Sequence, residues 1–214
     1  MSKMRPATVK KIFSALREHN PKPEGELQFQ SPFELLVAVV LSAQATDISV
    51  NKSTKALYQH ANTPQAILDL GIDGLKPFIK NIGLYNNKAK HIIALCALLI
   101  ERFDGEVPSR LEDLIELPGV GRKTANVVLN MAFQQPTIAV DTHVFRVSNR
   151  LGLSHSKTVL GVEKDLLAVI PKDYLLDAHH WLILHGRYIC KARKPACDMC
   201  FLSDFCRYYS KHHA

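Results

Sequence analysis

The sequence predicts an all-α protein, on three observations. Apolar residues recur at helical spacing along most of the chain, no stretch alternates convincingly as a strand, and helix-start and helix-stop residues fall where the periodic stretches begin and end. The predicted helices run from Ala7 to Leu16, Pro32 to Leu41, Val50 to Tyr58, Lys88 to Ile100, Thr124 to Ala132, Thr142 to Leu151, Val162 to Ile170 and Ala178 to Tyr188. Ser31-Pro32, Thr63-Pro64 and Asp141-Thr142 are capping pairs that open helices, and Gly71, Gly105 and Gly152 sit where helices should end.

Two interruptions suggest how the chain is divided. Asn20 to Glu26 breaks the helical pattern with two prolines and a glycine, and Gln134-Gln135-Pro136 breaks it again. The expectation is two helical lobes with a cleft between them. The breaks set boundaries near residue 25 and residue 135.

Charge and cysteine usage narrow the function classes. The chain of 214 residues has a formal net charge of +7 and an isoelectric point near 9.2, which describes a surface attractive to polyanions, nucleic acid above all. Its longest uninterrupted apolar run, Ile92 to Ile100, is far short of the roughly 20 residues that cross a bilayer, and no signal-peptide pattern opens the chain. A cytoplasmic address and no membrane partner are therefore expected. Four of the five cysteines crowd the last 25 residues, which argues for a metal centre rather than disulfides in a reducing compartment.

Leu114-Ile115-Glu116-Leu117-Pro118-Gly119-Val120-Gly121-Arg122-Lys123-Thr124-Ala125 reads as a helix, a tight turn and a second helix. Pro118 stops the first helix, and Gly119 and Gly121 let the backbone turn and expose consecutive amides. With the positive end of the next helix, those amides can hold a phosphate oxygen without regard to base sequence. Lys123 is a nucleophile only as the neutral amine, and the helix end, Arg122 and partial burial would each disfavour its ammonium form. Asp141 follows the short apolar run Thr137-Ile138-Ala139-Val140 and opens a helix, a position that suits an N-cap, a catalytic carboxylate, or both.

Cys190, Cys197, Cys200 and Cys206 are separated by six, two and five residues. Thiolates so close in sequence can converge on one soft-metal centre. Structural zinc usually pairs two close-set halves, so zinc fits this spacing less well without being excluded. Lys191, Arg193 and Lys194 lie between the first two cysteines and would form a basic knob. Cys96, inside an apolar stretch, reads as a buried small hydrophobe, and His179, His180 and His185 read as packing or surface residues.

The L-P-G-V-G-R-K-T-A run, V-D-T-H at Val140 to His143, and the C-x6-C-x2-C-x5-C series together resemble the endonuclease III family of helix-hairpin-helix, iron-sulfur DNA glycosylases. The resemblance implies a six-helix barrel of residues 25–135 carrying the hairpin, a discontinuous second lobe of residues 1–24 and 136–214 holding a 4Fe-4S cluster on the four cysteines, and a DNA-binding cleft between them. It further implies removal of oxidised pyrimidines from double-stranded DNA. Lys123 would be the Schiff-base nucleophile, Asp141 would assist it, and β-elimination would cleave the abasic site. Ser42-Ala43-Gln44-Ala45-Thr46-Asp47 and Ile82-Gly83-Leu84-Tyr85-Asn86 resemble the segments that fill and wedge the gap left by the flipped nucleotide, making Gln44 and Leu84 candidates alongside the phosphate-binding Gly119, Gly121 and Arg122. A monomer associated with the bacterial nucleoid is the implied state.

Two other readings remain at this point. A related adenine glycosylase shares the hairpin and cluster, but normally lacks the lysine and needs a carboxylate in the segment matching Leu35 to Thr46, where this chain has none. In a non-catalytic DNA-binding or redox-sensing iron-sulfur protein, Lys123 and Asp141 would be incidental.

Overall fold

The structure is a computed structural model that describes residues 4–212; residues 1–3 and 213–214, the outermost parts of the expected cluster lobe, lie outside them. Among the described residues the secondary structure is helical throughout, with no strand, as the periodicity predicts. No helix among them is long and apolar enough to cross a membrane. The chain divides into two compact units, Glu26–Gln134 and Met1–Gly25 with Gln135–Ala214, and each has its own core.

The first unit contains α2 (Pro32–Ser42), α3 (Asp47–Tyr58), α4 (Pro64–Ile79), α5 (Tyr85–Phe103), α6 (Leu111–Glu116) and α7 (Arg122–Phe133). Helix α2 is apolar around its whole circumference, and Phe33 to Leu41 are all buried, so it runs through the middle of the unit against α3, α5 and α7. Its entry is fixed by Ser31, whose hydroxyl accepts from the Glu34 amide at 3.2 Å, while the Glu34 carboxylate accepts from the Gln30 amide at 2.6 Å. Leu36, Val40, Ile67, Ile92, Leu95, Leu114 and Val128 meet in this core. Fully burying such a side chain is worth about 1.5–3 kcal/mol.

Two of these helices were not foreseen by periodicity. Helix α4 does begin at the Thr63-Pro64 cap, with the Thr63 hydroxyl accepting from the Ala66 amide at 3.2 Å. It is broken at Gly71 (φ 63°, ψ 178°), so neither half is long enough to show a full apolar stripe. Helix α6 is a six-residue segment, below the length at which a 3.6-residue period can be read.

The second unit contains α1 (Pro6–His19), α8 (Thr142–Leu151), α9 (Val159–Val169), α10 (Lys172–Tyr188) and α11 (Arg207–His212), with short 3-10 turns at Cys197–Met199 and Ser203–Phe205. Ile12, Phe13, Val144, Val147, Leu166, Trp181, Leu182 and Leu202 fill its core. The Trp181 indole donates to the Asn20 carbonyl at 2.8 Å, tying the end of α1 to α10. Helices α8 and α10 approach closely at Gly186, where a Cβ would stand 2.8 Å from the Cβ of His143.

Candidate active site and metal centre

The hairpin closes as the sequence pattern predicts, but its two glycines do different work. Leu117 ends α6, the Val120 amide donates to the Leu117 carbonyl at 3.0 Å, and Gly121 is the N-cap of α7. Gly119 has φ +81°, and a Cβ there would stand 3.0 Å from the Cβ of His91, so both conformation and space require glycine. Gly121 has φ −90°, a value open to any residue, and nothing lies within 4 Å of the place its Cβ would occupy. It leaves the amide end of α7 open.

Arg122 and Lys123 form the first turn of α7, and both are exposed. The partial burial expected for Lys123 is therefore not present. The first turn of a helix projects from its unit, and the buried face of α7 begins only at Ala125.

Asp141 is the N-cap of α8, and its Oδ1 accepts from the amides of His143 and Val144, each at 2.8 Å. The capping reading is thus realised, and since both amides converge on one oxygen, the carboxylate is held rigidly by its Oδ1. Its neighbour His143 lies with Nδ1 3.2 Å from Nη2 of Arg146.

Gln44 and Leu84 belong to turns of the same unit, and both are exposed with left-handed backbones (φ 56° and 61°). The Ala45 amide donates to the Ser42 carbonyl at 3.0 Å, and Ala43 (φ −57°, ψ 114°) precedes Gln44, which makes this a type II turn with glutamine where glycine is usual. Leu84 is the N-cap of α5 and 60% exposed, a large apolar side chain held out into solvent. A Cβ on Gly83 would lie 3.8 Å from the Gln44 carbonyl oxygen, so the two turns abut. Ile48, in the first turn of α3, is 83% exposed, and nothing in its spacing marks it out.

All four clustered cysteines line one pocket, together with Arg150, His185 and Tyr208. Burial pushes the Cys197, Cys200 and Cys206 thiols above the ordinary cysteine range, and the charges of the neighbouring thiols add to the rise. A cationic group is what makes several thiolates tolerable at such a place. Among the described residues no three His, Cys, Asp or Glu side chains close tightly enough to hold a single ion. Four cysteine sulfurs around a shared pocket are a donor set suited to a soft-metal group.

The start of the cysteine loop is tied to α8 by arginines that no sequence motif marks. Arg146 on α8 donates to the carbonyls of Cys190 at 3.0 Å and Gly186 at 2.8 Å. Arg150, one turn later, donates to the carbonyls of Lys191 at 2.7 Å and Ala192 at 3.1 Å, and to the sulfur of Cys190 at 3.4 Å. The helix that Asp141 caps therefore also braces the start of the cysteine loop. Lys191, Arg193 and Lys194 stand exposed on that loop, Lys194 with φ 51°. Cys96 is fully buried in α5, where burial pushes its thiol up to about 12, and His179, His180 and His185 are all buried, which agrees with packing roles.

Comparison with known proteins decides between the readings. Residues 37–172 match the family model for the HhH-GPD superfamily base excision DNA repair protein, and residues 190–206 match the iron-sulfur binding domain of endonuclease III. Endonuclease III of Haemophilus influenzae is 62% identical over 200 residues, covering 94% of this chain and 95% of that protein. The chain belongs to the endonuclease III family. The Escherichia coli K12 enzyme is 60% identical with the same coverage. A solved structure of a trapped endonuclease III–DNA covalent intermediate superposes with a TM-score of 0.91 at 47% identity, covering 97% of this chain and 98% of that one. As a member of the endonuclease III family the protein is a base-excision repair DNA glycosylase with abasic-site lyase activity, and it carries a 4Fe-4S cluster.

Proposed function

We propose that this glycosylase removes oxidised pyrimidines from double-stranded DNA with Lys123 as its nucleophile and Asp141 as the assisting carboxylate. The observation that carries the reading is the placement of Lys123 in the first turn of α7, directly after the open N-cap Gly121, so that a helix end suited to a phosphate also presents an amine. The hairpin amides and Arg122 hold the backbone near the lesion, and that binding is insensitive to base sequence.

Removing the damaged base requires the nucleotide to leave the stack, at a cost of a few kcal/mol that is smaller for a damaged base. Gln44 and Leu84, exposed on abutting turns, fill the gap and wedge the neighbouring bases. The amine of Lys123 forms a bond to C1′ as the base departs with the glycosidic electron pair, and Asp141 takes the proton from the attacking amine and stabilises the positive charge on the sugar through Oδ2. Ring opening gives the imine, and loss of a proton from C2′ expels the 3′ phosphate, cutting the strand.

Cys190, Cys197, Cys200 and Cys206 hold the cluster, whose irons supply the cationic charge that four neighbouring thiolates require. The exposed Lys191, Arg193 and Lys194 on the same loop contact phosphates. The protein acts as a monomer on one lesion and works where the bacterial genome lies.

The test is a panel of duplex oligonucleotides, each carrying one modified base, scored for base release and strand cleavage. Release of oxidised pyrimidines with coupled cleavage supports the reading. Release confined to adenine from mismatches, or no release at all, overturns it.

A further inference from the structure

Lys88 is the one buried lysine among the described residues, 5% exposed, and nothing in the catalytic scheme uses it. It lies in the first turn of α5, where its backbone amide donates to the Leu84 carbonyl at 3.1 Å. Its side chain reaches back 45 and 47 residues along the chain: Nζ donates to the carbonyls of Ala43 at 2.6 Å and Leu41 at 2.9 Å. Those oxygens are at the C-terminal end of α2, where carbonyls lack helical partners and the helix dipole favours a cation.

The bond to Ala43 has a specific consequence for Gln44. Type I and type II turns differ by a flip of the central peptide, and the carbonyl of that peptide here belongs to Ala43. Type II places the third residue at positive φ, which strains a non-glycine residue unless its surroundings hold it there. A buried ammonium bonded to the Ala43 oxygen opposes the flip and so keeps Gln44 at φ 56°. Its own backbone amide also donates to the Leu84 carbonyl, so the same residue contacts both turns.

We propose that Lys88 is a positioning residue that locks the Gln44 and Leu84 turns together, so that both side chains enter the duplex as one preset unit. The inference rests on the reading of Gln44 and Leu84 as the invading residues. Lys88 touches no DNA on this account. With its Nζ enclosed and bonded to two carbonyls, it is also not a second nucleophile.

Invasion is needed only where there is a base stack to enter. The test therefore compares borohydride trapping rates on an abasic site in duplex DNA and in single-stranded DNA, for the wild type, Lys88→Met, Gln44→Ala and Leu84→Ala. The expected result is that Lys88→Met lowers the duplex-to-single-strand rate ratio by about tenfold or more, because misplacing a group by an ångström is enough to cost such factors. An equal loss on both substrates, as a merely structural role would give, or an unchanged ratio, overturns the proposal. If Gln44→Ala and Leu84→Ala leave the ratio unchanged, the invading roles themselves fall, and the inference with them; if they lower it and Lys88→Met does not, only the inference falls. Should Lys88→Met fail to fold, Lys88→Gln, which keeps a shorter donor, is read in the same way and must lower the ratio.

Discussion

The guanidinium of Arg150 donates to the sulfur of Cys190 at 3.4 Å while holding the carbonyls of the next two residues, Lys191 and Ala192. It also lies 4.6 Å over the ring of Tyr208, beyond the last cysteine of the loop. One side chain thus spans both ends of the cysteine-bearing segment. Arg150→Met should release iron to a chelator severalfold faster than the wild type, since charged hydrogen bonds contribute about 1.5–3 kcal/mol each. Following the decay of the visible absorption of the cluster checks it, and an unchanged decay rate would remove Arg150 from this role.

Asp141→Asn separates capping from chemistry. Asparagine caps a helix about as well as aspartate, so the thermal midpoint should hardly move. Loss of the proton acceptor should slow base release by about a hundredfold or more. Single-turnover kinetics beside a thermal melt decide it; a large fall in the melt would assign the carboxylate to the fold instead.

The hairpin glycines should part company in the same way. Gly119→Ala forces a side chain into the left-handed region against His91 and should cost about 1–3 kcal/mol of stability as well as DNA affinity. Gly121→Ala meets open space and should cost under about 1 kcal/mol, yet weaken DNA binding by obstructing the amide end of α7. Urea unfolding and DNA titration of both variants test the distinction.

Lys191→Ala, Arg193→Ala and Lys194→Ala should each flatten the dependence of log affinity on log salt by about 0.9 for every phosphate that the native side chain neutralises. Affinity measured across a salt series gives the slopes. A slope that stays the same marks that residue as a solvated surface charge.

Burial holds the imidazole of His180 below its ordinary value, with Asp177 opposing the shift. The folded value lies below the unfolded one, so the unfolded state binds the extra proton. The stability contributed is complete above the unfolded value of 6.5 and is lost as pH falls below it. Between about pH 7.5 and about pH 5.5 the thermal midpoint of the wild type should fall further than that of His180→Leu. Parallel falls would show that His180 does not carry this part of the pH dependence.

What the sequence made legible was local. Helix α8 runs from Thr142 to Leu151 as the periodicity predicts, because its start and stop are written in adjacent residues, Asp141 and Gly152. The four cysteines are legible for the same reason, lying within one short segment. Helix α4 was legible only at its Thr63-Pro64 start and α6 only through the hairpin motif, because a break at Gly71 and a length of six residues leave no period to read. Lys88, Arg146 and Arg150 escaped for a different reason. Each acts on carbonyls 40 or more residues away, and a carbonyl has no signature in a sequence. The turn expected to need glycine at both Gly119 and Gly121 needs it only at Gly119, because the ordinary φ and open surroundings of Gly121 depend on packing that the residue order does not spell out.

The central claim is that the amine of Lys123 bonds covalently to the sugar of the damaged nucleotide. Borohydride trapping on a duplex carrying one oxidised pyrimidine, with wild type and Lys123→Gln side by side, tests it directly. The account predicts a covalent protein–DNA adduct with the wild type and none with the variant, which should still bind the duplex. An adduct that persists in Lys123→Gln, or strand cleavage by the variant at the wild-type rate, would contradict it.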